Sequence, residues 1–270
     1  MNALEYVPVP AFEDNYIWLV SDGRNAVAVD PGEAAPVQAY LAKRGWRLSA
    51  ILLTHHHRDH VGGVADLLNG QVAPETIPVY GPAGEAIDYL TQRVKQGDRV
   101  QIAEPALELT VLDVPGHTSG HIAYFQEAGA HNARGTPHVF CGDTLFACGC
   151  GRVFEGTPVQ MLASLDALAA LPGATEVHCA HEYTLSNIRF ALACEPGNEQ
   201  LQAWRDEAVA RRARNVPTLP TTIAHERAVN PFLRADQPAI QQTLAEQLHE
   251  TVPDRLTAFT LMREWKNRFR

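Results

Sequence analysis

The sequence predicts an α+β protein: a layered sandwich of sheets flanked by helices, followed from about Tyr183 by a smaller all-helical part. Three observations carry this. Short apolar runs of strand length crowd the first two-thirds of the chain. Helical periodicity in that region falls between these runs. After Tyr183 the texture changes to amphipathic helix. We therefore expect one unit over 1–182 and a second over 183–270.

The elements follow in order. "NAVAVDPG", "RLSAILLTH", "IPVYG", "LELTVLDVPGH", "IAYF", "HVFCGD" and "EVHCAHE" each have the length and β-branched content of a strand. In "LELTVLDV", Leu107, Leu109 and Val111 alternate with Glu108, Thr110 and Leu112, the pattern of a half-buried strand. Behind "THHHRDH", a helix is expected from Val61 to Leu68, stopped by Asn69-Gly70. "TPVQMLASLDALAALPG" carries a capping box, Thr157 with Gln160, and Pro158 at the first helical position. Met161, Leu162, Leu165, Leu168 and Ala169 then recur at helical spacing, so this helix should cover a sheet. In the second part, Leu201, Trp204 and Ala208 form one stripe, Ile240, Leu244 and Leu248 another, and Leu261, Trp265 and Phe269 a third. A proline-containing connection, "NVPTLPTTIAHERAVNPFLR", separates these helices.

Composition narrows the class. At 270 residues and 46% hydrophobic the chain can bury a large core. "MNALEYVPVPAFEDNYIWLV" has neither the basic start nor the apolar block of a secretory signal, and no run reaches the roughly 18 apolar residues of a membrane span. A soluble, cytoplasmic protein without a membrane partner is expected. A net charge of −9 disfavours nucleic acid. The five cysteines are odd in number and irregular in spacing, so reduced thiols are expected, and Cys148 and Cys150 lack the second pair of a zinc finger. The last stretch is basic: Arg255, Arg263, Lys266, Arg268 and Arg270 face one acid, Glu264. Such a run is either a solvated helix face or a clamp for an anionic ligand.

The chemistry concentrates in "ILLTHHHRDHVGG". His55 and His57 are two apart at a strand end, where alternate side chains face the same way, so both can reach one ion and His56 points elsewhere. Asp59 and His60 follow where the chain turns into helix and can serve a neighbouring position. The pattern recurs beyond three other apolar strands, with His117, Asp143 and His181. Strand ends of one polarity gather at one sheet edge, where loops build sites. Seven imidazole and carboxylate groups exceed the four ligands of one tetrahedral zinc and suit two divalent ions sharing a carboxylate. Zinc leads, and iron or manganese also accept this nitrogen and oxygen set. Two close ions can bridge a water and lower its pKa to supply hydroxide, which implies hydrolysis. His121 in "GHTSGH" reads either as a hydrogen-bonding support behind a ligand, the favoured role, or as a ligand itself. His131, His138, His178, His225 and His249 read as surface or structural residues.

"THHHRDH", "GHTSGH", "CGDTLF" and "AHEYT", in this order, resemble the metallo-β-lactamase superfamily. That superfamily spans several chemistries, so it fixes no substrate. "FEDNYIW", "CGCGRVFEGTPVQM", "HEYTLSNIRFA", "EPGN", "NPFLR" and "LMREWKNRF" narrow the resemblance to the glyoxalase II, or hydroxyacylglutathione hydrolase, family across essentially the whole chain. The resemblance implies a four-layer αββα metallo-β-lactamase-like domain followed by a helical, glutathione-binding one. It implies hydrolysis of S-D-lactoylglutathione to D-lactate and glutathione, the second step of methylglyoxal detoxification, by a monomer.

It also implies residue roles. His55, His57 and His117 would hold one ion and Asp59, His60 and His181 the other, with Asp143 bridging; Asp59 and Asp143 are thereby catalytic. Arg263 and Lys266 match a pair that holds a glutathione carboxylate, and Arg152, Phe154 and Tyr183 match further glutathione contacts. Some members have Lys and Tyr where this chain has Arg152 and Phe154; the charge is kept and the hydroxyl is not. Three rival readings share these motifs. A mononuclear iron sulfur dioxygenase acting on glutathione persulfide is disfavoured by the C-terminal part with Arg263 and Lys266. An exported β-lactamase is disfavoured by the N-terminal sequence. A non-catalytic metal-binding module is disfavoured by the full ligand set.

Overall fold

The computed structural model describes residues 3–71, 73–129 and 135–269; His131 and Arg270 lie outside them. A first sheet is ordered β1 (Glu5–Ala11), β2 (Asn15–Ser21), β3 (Asn25–Val29), β4 (Arg47–Leu52), β5 (Val79–Pro82) and β6 (Gln92–Val94). The second contains β7 (Arg99–Ile102), β8 (Leu107–Asp113), β9 (Ile122–Gln126) and β10 (His138–Phe140). A small hairpin, β11 (Leu145–Phe146) and β12 (Gly149–Cys150), follows. The second sheet is completed by β13 (Glu176–His178), parallel to β10, and β14 (Thr221–Thr222), antiparallel to β13. All seven strands expected from the sequence are present.

Period-two alternation makes the layers. In β2, Trp18 and Val20 enter the core between the sheets, whereas Ile17 and Leu19 enter the core on the other face. The same split places Val27 and Val29 inside and Ala26 and Ala28 outside in β3. The outer face is covered by α1 (Ala34–Arg44), through Val37 and Leu41, and by Val64 and Leu67. In β8, Leu107, Leu109 and Val111 are buried and Glu108, Thr110 and Leu112 are half-buried, as the alternation predicts.

Three expectations on the elements need correction. The helix foreseen over Val61–Leu68 is two short ones, α2 (Arg58–Val61) and α3 (Val64–Asn69), separated by Gly62 and Gly63. A Cβ on either glycine would run into backbone atoms, so the chain needs glycine to pass here. α1 went unread because its apolar spacing is sparse, with Ala34, Val37 and Leu41 alone buried. The proline-containing connection is not plain loop: it carries β14 and α7 (Ile223–Val229).

The capping box of α4 (Pro158–Ala169) forms as read: Gln160 N–H donates to Thr157 Oγ1 at 3.2 Å, and Thr157 N–H to Gln160 Oε1 at 2.9 Å. Met161, Leu165 and Leu168 join the main core. The second part adds α5 (Thr184–Cys194), α6 (Glu199–Arg212), α8 (Pro238–Leu248) and α9 (Arg255–Arg268). In α9 the buried face is Ala258, Phe259, Met262 and Arg263, with Trp265 and Phe269 packed at its margin; Leu261 lies off it. The five cysteines are free and buried. No described helix is long and apolar enough to cross a membrane. His138 and His178 are core residues, 3.0 Å apart between ring nitrogens and stacked with Tyr6.

Candidate metal centre and substrate pocket

The seven expected residues converge at one edge of the sandwich because each follows a strand or strand-like segment ending there. His55, His57, Asp59 and His60 come after β4, His117 after β8, Asp143 after β10 and His181 after β13. Gly142, at φ 47°, lets the chain turn before Asp143; a Cβ there would overlap Thr54 Oγ1 and the His121 ring.

Two groups of donor atoms result. His57 Nδ1 lies 3.1 Å from His55 Nε2 and 2.9 Å from His117 Nε2. Asp59 Oδ2 lies 3.5 Å from both His60 Nε2 and His181 Nε2. Asp143 stands between: Oδ2 is 3.3 Å from His117 Nε2, and Oδ1 is 3.4 Å from His60 Nε2 and 3.3 Å from His181 Nε2. With bonds of about 2.0–2.1 Å, neighbouring ligands on a tetrahedral ion lie roughly 3.3–3.4 Å apart, so this spacing fits two ions. His60 Nε2, His181 Nε2 and Asp143 Oδ1 are buried without a hydrogen-bond partner and face one another. Such atoms are costly unless a cation takes them.

The outer atoms are braced. Asp30 Oδ2 accepts from His60 Nδ1 at 3.0 Å and from Thr54 Oγ1 at 2.7 Å, while Oδ1 accepts Thr54 N–H at 2.8 Å. Thr54 Oγ1 also lies 3.0 Å from His55 Nδ1. His117 Nδ1 donates to the Arg152 carbonyl and His181 Nδ1 to Asp14 Oδ1, both at 2.9 Å. These bonds fix which ring nitrogen faces the centre. Asn15 Nδ2 donates to Asp59 Oδ2 at 3.2 Å. His121 sits behind the centre and accepts Asp143 N–H at 3.1 Å. His56 turns away to Glu85 Oε2 at 2.8 Å and Glu155 Oε1 at 3.4 Å.

Electrostatics point the same way. Burial opposes charge on all these groups, yet His60 and His181 hold the Asp143 carboxyl well below its usual range. Burial likewise opposes charge on His181, but Asp143 and the Asp14 hydrogen bond raise it to about 9. Burial, with His60 and His121 nearby, drives His55 well down, to the neutral form a ligand needs. A proton and a cation compete for the His181 lone pair, so acid weakens cation binding there.

A cavity of about 420 Å³ opens from His117 and Asp143 and is lined by Phe146, Cys150, Arg152, Phe154, Tyr183, Asn187, Arg263 and Lys266, among others. All five residues expected to touch substrate therefore line it. Tyr183 stacks on His181 at 4.6 Å, and Phe154, 61% exposed, stands over His57 and His117 at the mouth. Arg263 is buried, and its Nη1 donates to the Cys150 carbonyl at 2.8 Å. It builds the wall as well as charging it. Burial, with Arg263 and Arg189 nearby, lowers Lys266 to about 8.

Residues 11–181 match the metallo-beta-lactamase superfamily model, and residues 182–269 match the model of the hydroxyacylglutathione hydrolase C-terminus. The hydroxyacylglutathione hydrolase of Cupriavidus taiwanensis is 57% identical over 270 residues, covering 99% of this chain and 100% of the relative. The chain belongs to the hydroxyacylglutathione hydrolase family. The Vibrio cholerae member is 50% identical and the Nitrosomonas eutropha member 47%, each covering 98% of this chain and 100% or 99% of the relative. Among solved structures, ETHE1 from Myxococcus xanthus shares the fold, with TM-score 0.61 and 24% identity over 96% of this chain and 97% of that one. TTHA1623, crystallised in a di-iron-bound form, aligns at TM-score 0.56 and 27% identity over 85% of this chain and 100% of that one. The fold is thus the four-layer metallo-β-lactamase sandwich with the helical C-terminal part of the hydroxyacylglutathione hydrolases.

Sequence reasoning missed Asp14, Asn15, Asp30 and Thr54. Asp30 follows an apolar strand, the same signal that singled out Asp143. Asp14 and Asn15 lie inside "FEDNYIW", where the family likeness alone assigns them no role.

Proposed function

We propose that the chain is a monomeric, cytoplasmic enzyme that hydrolyses S-D-lactoylglutathione and related 2-hydroxyacylglutathiones to the hydroxy acid and glutathione. The observation that carries this is the continuity of one cavity, from His117 and Asp143 to Arg152, Tyr183, Arg263 and Lys266. A thioester placed at the first pair has its glutathione end among the cations.

In our reading His55, His57 and His117 would hold one divalent ion and Asp59, His60 and His181 a second, with Asp143 shared between them; zinc suits this set, as do iron and manganese. When bound, such a pair supplies hydroxide at neutral pH and Lewis-acid polarisation of the thioester carbonyl. The chain's own residues set the stage. Asp30, Asp14 and the Arg152 carbonyl hold His60, His181 and His117 in the tautomer whose free lone pair faces inward. Lys266, with Arg152 and Arg263, attracts the glutathione carboxylates, and Tyr183 and Phe154 offer glutathione further contacts. A thiol's pKa of about 8.5 lets thiolate leave without a strong general acid.

The test compares thiol release from S-D-lactoylglutathione with release from a thioester of the same acyl group lacking the glutathione carboxylates. Preference for the former, weakened in Lys266→Ala, supports the reading. Equal rates on both would remove the glutathione assignment.

A further inference from the structure

The hairpin of β11 and β12 forms one wall of the cavity through Phe146 and Cys150, and leads into Gly151 and Arg152. It cannot hold itself. Each strand has two residues, far short of a stable ladder, and its turn places Cys148 at φ 55°, a conformation that disfavours a side-chain-bearing residue. What holds it comes from the second part of the chain. Glu226 on α7 is fully buried and accepts Cys148 N–H at 2.7 Å, Thr221 Oγ1 at 2.8 Å and Asn230 Nδ2 at 3.0 Å. Asn230 Nδ2 in turn lies 3.1 Å from the Phe146 carbonyl and 2.9 Å from that of Gly149, so it engages both strands. Asn187, from α5, donates to the Ala147 carbonyl at 3.0 Å. Neither Glu226 nor Asn230 lines the cavity.

We propose that Glu226, acting through Asn230, is a positioning residue for the glutathione pocket: it sets the hairpin that presents Phe146, Cys150 and Arg152 to the substrate. This rests on the glutathione-thioester reading above. A carboxylate buried at a site needing only packing would be a poor choice, because apolar side chains cost less to bury. Here the turn demands acceptors, and Glu226 supplies them to a backbone N–H, a hydroxyl and an amide at once. Burial lifts its carboxyl to about 7, the cost of that arrangement.

The experiment uses full-length protein carrying two ions per chain, with Glu226→Ala, Glu226→Gln and Thr221→Val. It measures KM and kcat on S-D-lactoylglutathione, metal content, and amide exchange of peptides covering 144–152. Glu226→Ala should raise KM about tenfold or more while kcat stays within roughly threefold, keep two ions, and speed exchange in the hairpin. Glu226→Gln, whose amide oxygen still accepts Cys148 N–H, should fall between it and the native protein, and it carries the test if the alanine variant does not fold. Thr221→Val, which leaves the Cys148 bond in place, should change KM by less than about twofold. Native KM and native hairpin exchange in Glu226→Gln and Glu226→Ala, with only a lower Tm, would overturn the proposal. If the native protein released no thiol, the function reading would fall by itself. Hairpin exchange and glutathione affinity by calorimetry would still decide the positioning role, unchanged values in both variants counting against it.

Discussion

At the metal edge, His55, His60, His117 and His181 each have a second ring nitrogen within 2.9–3.0 Å of a bracing group, and all four are buried. At the pocket mouth, Phe154 is 61% exposed and packs on the rims of two imidazoles. Deeper in the wall, the Lys266 ammonium rests on one carbonyl, that of Ser186 at 3.2 Å. Strand ends converge to build the first region, and fixed dipoles hold it. The second is assembled from a hairpin and two helices of the other half of the chain. Preorganised donors suit chemistry that must occur in one geometry. A wall whose ammonium is held by a single carbonyl suits a flexible peptide-like ligand, whose binding tolerates small shifts.

If that contrast is right, damage at the edge should act on turnover and damage at the wall on KM. The largest effect is expected for Asp143→Ala. Losing the carboxylate shared by both groups should cut kcat by about 10³-fold or more, equivalent to several kcal/mol of transition-state stabilisation, and drop metal content below two per chain. Kinetics with elemental analysis would check it. Next is Asp30→Ala, at a residue that is not itself a proposed ligand but braces His60 Nδ1 and Thr54 from behind; metal affinity or kcat should fall about 10- to 100-fold. A native value there would break the idea that the edge is held from behind.

At the wall, Lys266→Ala should raise KM about tenfold with kcat nearly unchanged, the mark of lost uniform binding. Its pH dependence follows from sign. Lys266 is lowered from 10.5 to about 8, so its charge is complete well below pH 8 and lost above it. KM should therefore rise as pH passes about 8, and Lys266→Arg should flatten that rise because guanidinium stays charged. Smallest is Phe154→Tyr: an added hydroxyl at a position 61% exposed should lower KM by less than about threefold.

The sequence made the edge easier to foresee than the wall. His55, His57, His117, Asp143 and His181 are legible because a polar residue after an apolar strand is a local signal, repeated along the chain. Layer alternation in β2, β3 and β8 is local too. The wall is legible only through likeness to a family, since nothing in the hairpin's own sequence indicates that Glu226, Asn230 and Arg263 will grip it from 78 to 113 residues away. Helix α1 escaped because a helix on the outside of a sheet needs few large apolar residues. β14 escaped because two residues carry no periodicity, only a partner.

The most direct test of a two-ion thioester hydrolase is a reconstitution titration. Metal-stripped protein receives increasing equivalents of zinc, and glutathione release from S-D-lactoylglutathione is followed at each step. Activity should be absent at the start and level off at two equivalents per chain. A plateau at one equivalent, or no thiol released at two, would contradict the assignment.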